Sequence, residues 1–480
     1  MADLIHVTAR LRALQNGRAV PIVSQQQVVI QPHARILTLL SMAGEDTSVH
    51  AAAFGGFGEP AQIHVISDPR SRDDQYALLR WLLPFFETYY AQCRADGTFP
   101  QIWVSSAGAL GHLDTLADRL RFTDEPDIQR LGELWTYAGE RSPIAGQQAL
   151  ISASGALRLH YATGQQEAED EHLAALLTWI EPPAGRDIFA AVAAAEGQPM
   201  SVKTDPRFDR NQLQPAVSDF HGAATPEAAA RHHGRIQQML EGVIRPIYTA
   251  TQRAMALLSA PRWQANPMLD ELADQEAREF ARFMLARDDG HHLPYRDSAK
   301  AGAIKIAARE RAVNNVEAGM LRHDRAAREK GVTTGTVLRV QLVDIIVTHP
   351  TPRLYEYDLV LTSHQDGLHL RLGDVLCTLD GAALALRIDE IERRGPFTWV
   401  TGRVAPGKSP GKNAAKRLTL GEVLDFGPGA PDWRGVGNAL AQMSTRMENT
   451  PWTHGEGPPA PTPMAQAAPG DLRAAVEGLI

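Results

Sequence analysis

Two rhythms of apolar residues organise this chain, and they change twice along it. Near the start, Ile36–Met42, Val49–Phe54 and Ala61–Ser67 are short, apolar and closely spaced. Gly44 and the run Gly55-Gly56-Phe57-Gly58 separate them, so they predict three strands joined by tight turns. Asp73 then leads into a helix carrying Leu78, Leu79, Leu82, Phe85, Phe86 and Tyr89, which Pro84 should kink or split. A strand over Gln101–Ser105 and a helix over Leu110–Leu120 complete an α/β pattern. Beyond it the spacing predicts a strand pair near Gln148–Tyr161 and a helix over Asp170–Ile180.

From Pro226 the period becomes helical. Ile236, Leu240, Val243, Ile247, Met255 and Leu258 share one face. Leu269, Leu272, Phe280 and Phe283 mark a second helix, and Ile306, Val313, Val316 and Met320 a third. Pro246 should bend the first of these. From Gly335 the period falls to two, with strands over Thr336–Val347, Leu354–Thr362, Asp374–Leu379, Leu384–Ile391 and Thr398–Val404. Strands at that density predict a small antiparallel barrel. Gly455–Pro469 holds five prolines and reads as a disordered linker, ahead of a short helix seed over Leu472–Ile480. The fold expectation is a multidomain α+β chain with an α/β domain over residues 1–200 and long helices over 205–330. A small β-barrel over 332–427 and a linker or tail over 428–480 follow.

Composition narrows the function classes. Hydrophobic residues make up 44% of the 480, enough for a sizeable core. The formal net charge of −8 gives no general attraction to polyanions, so a nucleic-acid partner needs a local basic patch. Two cysteines far apart, Cys93 and Cys377, make neither a disulfide framework nor a zinc cluster, as expected in a reducing cytoplasm. The chain has no apolar run of membrane-spanning length, and Met1-Ala2-Asp3 does not open a secretion signal. The expectation is a cytoplasmic protein without a membrane partner.

Gly402-Arg403-Val404-Ala405-Pro406-Gly407-Lys408-Ser409 satisfies the phosphate-loop pattern. A working loop must open a helix whose free amides hold the phosphates, and here Pro410-Gly411 follow at once. The expectation is that no nucleotide is held there and that the chain carries no motor and no cofactor. The stretch Arg403–Arg417 has a different use. It contains Arg403, Lys408, Lys412, Lys416 and Arg417 without an acidic residue, which suits a phosphate backbone. Arg309, Arg311, Arg322, Arg325 and Arg328 form the next densest set of cations.

Asp288-Asp289-Gly290-His291-His292 reads as a helix end capped by glycine rather than a metal site, and His232-His233 likewise carries no ligand spacing. Gly55–Gly58 reads as a hairpin turn. No metal ligands are assigned.

Several segments resemble the stalk and 1B barrel of superfamily-1B helicases. They are Tyr248-Thr249-Ala250-Thr251, Arg309-Glu310-Arg311-Ala312-Val313, Gly335-Thr336-Val337, Leu372-Gly373-Asp374-Val375-Leu376 and Asn438-Ala439-Leu440. The likeness covers about residues 205–450 and rests on the order of the elements. The first 125 residues resemble, more weakly, the ribonuclease-H-like exonuclease domain that precedes the stalk in some bacterial helicases. Active members hold two divalent ions on acidic residues. The matching first strand, Ile36–Met42, has no carboxylate, and the position after the fourth strand reads Ala107-Gly108-Ala109-Leu110-Gly111-His112.

These resemblances imply a non-catalytic segment that engages nucleic acid, DNA by expectation, in DNA processing or phage defence. The motor would lie in trans or in a longer protein. The rival readings are a metal-dependent nuclease, with Asp46, Asp68 and Asp114 rebuilding a site, and a protein-interaction scaffold.

Overall fold

The computed structural model describes residues 4–45, 47–290, 299–350, 355–380, 384–407 and 417–429. The chain divides into two compact units, residues 1–292 with 313–431 and residues 293–312 with 432–480. Of the second unit only 299–312, the first part of a helix, are described.

The first unit opens with α1 (Leu4–Asn16) and the two-residue β1 (Val20–Pro21). Strands β2 (Arg35–Ser41), β3 (Val49–Gly56) and β4 (Gln62–Val65) follow, then α2 (Arg72–Ala95), β5 (Ile102–Val104), α3 (Ala107–Leu120), α4 (Pro126–Arg141) and β6 (Leu150–Ser152). Five of these strands form one sheet in the order β4-β3-β2-β5-β6. β3 is antiparallel to both β2 and β4, whereas β5 runs parallel to β2 and β6 parallel to β5. The sheet is covered on both faces, which is why β2 and β3 read as almost unbroken apolar runs. Ile36 and Leu40 share a core with α5 (Ala153–Arg158), α6 (Leu173–Ile180), α7 (Ile188–Glu196) and the long α10 (Pro226–Leu258). Leu37 and Leu39 face α2, α3 and α4.

Two expectations change here. The strand pair near Gln148–Tyr161 does not form: β6 joins β5, while β7 (Tyr161–Ala162) pairs with β1. The turn that a hairpin would need is instead α5, which starts on the Ser152 cap. Pro84 does not split α2, so of the kink or split expected there the split is excluded, and α10 runs through Pro246 as one helix. Ile236, Leu240, Ile244, Ile247 and Met255 of α10 pack into the core of the sheet. Tyr248 of the same helix reaches the carbonyls of Gly56 and Glu59, and a side chain on Gly55 would collide with its hydroxyl.

Helices α3 and α4 touch through Gly132. A β-carbon there would lie 2.4 Å from the Arg121 amide nitrogen and 2.9 Å from its α-carbon, backbone atoms that cannot swing away. We expect Gly132→Ala to lower the unfolding free energy by about 3 kcal/mol in a urea titration. Gly111→Ala on α3, which meets nothing within 4 Å, should be neutral or slightly stabilising.

After α8 (Pro206–Phe208) and its continuation into a π-turn over Asp209–Leu213, α9 (Gln214–His221) precedes α10. Then come α11 (Pro267–Asp288), α12 (Ala299–His323) and α13 (Arg325–Thr334). Six strands close the last part: β8 (Leu338–Pro350), β9 (Tyr355–Ser363), β10 (Val375–Thr378), β11 (Ala385–Arg394), β12 (Phe397–Gly407) and β13 (Val423–Gly427). They form a closed antiparallel barrel in the order β10-β11-β12-β9-β8-β13. Alternate residues fill it, among them Leu338, Val340 and Leu342 from β8 and Tyr357, Leu359 and Leu361 from β9. Arg339 ties the barrel to α13, bonding Asp425 at 2.7 and 2.8 Å and Glu329 at 2.9 and 3.0 Å. The fold is therefore mixed α+β with a closed six-stranded barrel. The proline-rich stretch Gly455–Pro469 lies outside the described residues. Among the described residues no helix is long and apolar enough to cross a membrane.

Candidate functional site

Two places bear on function, the basic stretch between barrel strands β12 and β13 and the carboxyl edge of the first sheet. The basic stretch begins inside β12, so the first six residues of the phosphate-loop pattern form strand rather than loop. Gly402, Arg403 and Val404 are paired to β9 on one side and β11 on the other. Gly402 is glycine for a packing reason. A β-carbon there would sit 2.8 Å from both the Arg387 carbonyl oxygen and the Leu386 side chain. A strand paired on both sides has its amides directed to its neighbours and cannot cradle phosphates.

Arg403 is already engaged. Its Nε donates to Asp358 at 3.0 Å on the facing strand and lies 3.8 Å from Asp389. Asp358 raises its pKa further above the usual arginine value. A phosphate would have to compete with these carboxylates for Arg403. Lys408, Lys412 and Lys416 lie outside the described residues, and Arg417 is exposed where the chain is described again.

At the other place, the ribonuclease-H-like resemblance would put an active member's acids on the first strand and after the fourth, here β2 and β5, and the sequence expectation is that they are missing. β2 ends in Ser41, which is fully buried and carries no charge. β2 and β5 pair only at Arg35 with Ile102 and Ile36 with Trp103, so the two strands part beyond these residues. The segment after α7 occupies this flank of β2. The Ser41 amide donates to the Val202 carbonyl at 2.8 Å, and the Thr204 amide donates to the Ser41 carbonyl at 3.0 Å. Asp209 of the π-turn then accepts from the Ala43 amide at 2.8 Å. The Ser41 hydroxyl lies 3.4 Å from Nε2 of His112, and both side chains are buried.

Sequence reasoning missed this closure, although the short run Ser201-Val202-Lys203-Thr204 before α8 is the signal that could have shown it.

Of the acids proposed for a rebuilt site, Asp68 lies in the loop before α2 and Asp114 on α3. Asp68 accepts from the Arg70 amide and lies 3.1 Å from His221. Asp114 on α3 packs against Gly139 of α4, and partial desolvation there, then the charges of Asp118 and Glu140, raise its pKa. Asp46 lies outside the described residues. Among the described residues no three His, Cys, Asp or Glu side chains gather as a metal site. Of the suspect histidines, His233 bonds the Ser67 hydroxyl at 2.7 Å. α11 ends at Asp288 and Gly290 takes a φ of 73°, while His291 and His292 lie outside the described residues.

No protein-family model matches this chain, and no curated protein or solved structure is detectably similar to it.

Proposed function

We propose that this chain is a non-catalytic, nucleic-acid-engaging accessory segment of a superfamily-1 helicase system, with its motor in trans or in a longer protein. The order of the elements carries the reading. The five-stranded sheet ordered β4-β3-β2-β5-β6 with β3 reversed supports the ribonuclease-H-like part of this reading. Long helices and a closed six-stranded barrel follow it, in the order of the helicase resemblance. The occupied end of β2, which has no carboxylate on the strand itself and only Asp209 beside it, supports a scaffold role for the first domain, because two divalent ions need several carboxylates around them. The barrel then presents the basic stretch after β12 to a strand of DNA, and the helices carry movement from the motor.

The test is binding across a salt series. Fluorescence anisotropy with single- and double-stranded DNA should show affinity falling as salt rises. Neutralising Lys408, Lys412 and Lys416 to Gln should weaken binding about equally for all sequences. It should also reduce the slope of log affinity against log salt by up to about three, near one per lost phosphate contact. Negligible binding by the unaltered chain would overturn the proposal in favour of a protein-interaction scaffold. Cleavage of the DNA in Mg²⁺ or Mn²⁺, abolished by Asp114→Asn, would overturn it in favour of a nuclease.

A further inference from the structure

A cleft of about 420 Å³ opens beside the first sheet, between the start of β3, the first turns of α2 and the end of α3. Its charge is unusual for a chain of net charge −8. Arg70, Arg72 and Arg119 line it, against one lining carboxylate, Asp124. Arg70 is held by Glu45 at 2.7 Å. Among the described residues neither Arg72 nor Arg119 has a carboxylate within ion-pair distance. Arg119 instead donates to the Thr47 hydroxyl, and the Arg72 guanidinium lies 5.0 Å from the centre of the Tyr76 ring. Asp73 and Asp74 already complement the positive end of α2, so the guanidinium groups supply the cleft's positive charge.

The rest of the lining is of a second kind. Tyr76 is half-buried and bonds the Thr123 hydroxyl at 2.9 Å, which fixes its ring at the wall. Phe122 stands 46% exposed at the rim, with the Arg121 guanidinium 4.4 Å from its ring centre. An exposed aromatic at the rim of a cleft lined by guanidinium groups is a suitable surface for a flat heterocycle. Guanidinium forks match phosphate oxygens two at a time, and the Thr47 and Thr123 hydroxyls offer further donors. A volume of about 420 Å³ falls in the range of small-ligand sites.

We propose that this cleft binds a nucleotide, its phosphate on Arg72 and Arg119 and its base against Tyr76 and Phe122. The nucleotide is either free or the phosphate-bearing end of a nucleic-acid strand. The site lies in the first sheet domain and does not involve the basic stretch between β12 and β13.

Calorimetry on the full chain tests it with adenosine monophosphate and with adenosine. Adenosine monophosphate should bind, and adenosine should bind roughly tenfold or more weakly, the expected loss for a charge-assisted contact. Arg72→Gln with Arg119→Gln should weaken adenosine monophosphate by a similar factor while leaving the thermal unfolding midpoint unchanged. To separate the two sources, oligothymidylate with and without a terminal phosphate is titrated into a Lys408→Gln, Lys412→Gln, Lys416→Gln background, where the barrel stretch no longer contributes. Tighter, arginine-dependent binding of the phosphorylated strand than of the mononucleotide supports a strand end. Equal or weaker binding supports a free nucleotide. The proposal is overturned if neither phosphorylated ligand binds, or if binding ignores the phosphate or the two arginines. That result would leave the salt-series test of the barrel stretch untouched.

Discussion

Replacing Glu276 by alanine should cost about 3–5 kcal/mol, enough to leave the sheet domain largely unfolded at moderate urea concentration. Glu276 sits on α11 with its side chain 1% exposed. It accepts from Nε of Arg141 at 2.7 Å, from the other side of the same guanidinium at 3.1 Å, from the Tyr137 hydroxyl at 2.8 Å and from the Gln148 amide at 3.2 Å. One carboxylate therefore joins α11 to α4 and to the approach of β6. Its removal leaves a guanidinium that is 14% exposed, a buried hydroxyl and a backbone amide without their acceptor, and the uncompensated desolvation of these groups dominates the cost. The paired replacement Glu276→Leu with Arg141→Met should recover much of the loss, because it removes both charges. Urea titrations of the single and paired variants decide this. A single variant costing less than about 1 kcal/mol would mean that the network is open to water in solution.

The second large effect is loss of stability in mild acid. His50 and His160 are both fully buried, and burial, as the largest cause, pushes each from 6.5 down to about 4. For His160 the surroundings add to burial: Nδ1 donates to the Ala156 carbonyl at 2.8 Å, Nε2 lies 3.1 Å from the Gln27 amide and 3.2 Å from Gln26 Oε1, and the charge of Arg262 opposes a second proton on the ring. Because the folded pKa lies below the unfolded one, the unfolded chain takes up the proton first as pH falls. The stabilisation is therefore complete above about pH 6.5 and is lost progressively toward about pH 4. At about 1.4 kcal/mol per pH unit, a fall from 6.5 to about 4 is worth about 3 kcal/mol for each histidine. Urea midpoints measured between pH 7 and pH 4.5 should drop steeply, and His160→Gln should flatten the drop. A pH profile unchanged by that substitution would show that other groups carry the acid sensitivity.

The chain's local chemistry determined much of this architecture. Alternation at period two in Thr336–Val347 and Leu354–Thr362 specifies a strand with one buried face, and six such strands have few ways to hide that face except by closing. The caps at Ser71, Ser106 and Thr225 start α2, α3 and α10 through bonds between near neighbours, so they too are legible in order of residues. Pro410-Gly411 after Ser409 argued against a phosphate loop without any coordinates. Contacts between distant residues were not legible. Nothing local ties Ser41 to Val202 and Thr204, Glu276 to Arg141, or Arg72 to Arg119, because each pair meets only when the sheet and its helices assemble. The same holds for the helix α10, whose 3.6-residue stripe says that one face is buried but not that the sheet covers it. Arg403 shows the difference in one residue: its place in a basic run follows from the sequence, whereas its engagement by Asp358 follows from a strand register that only pairing of β12 with β9 creates.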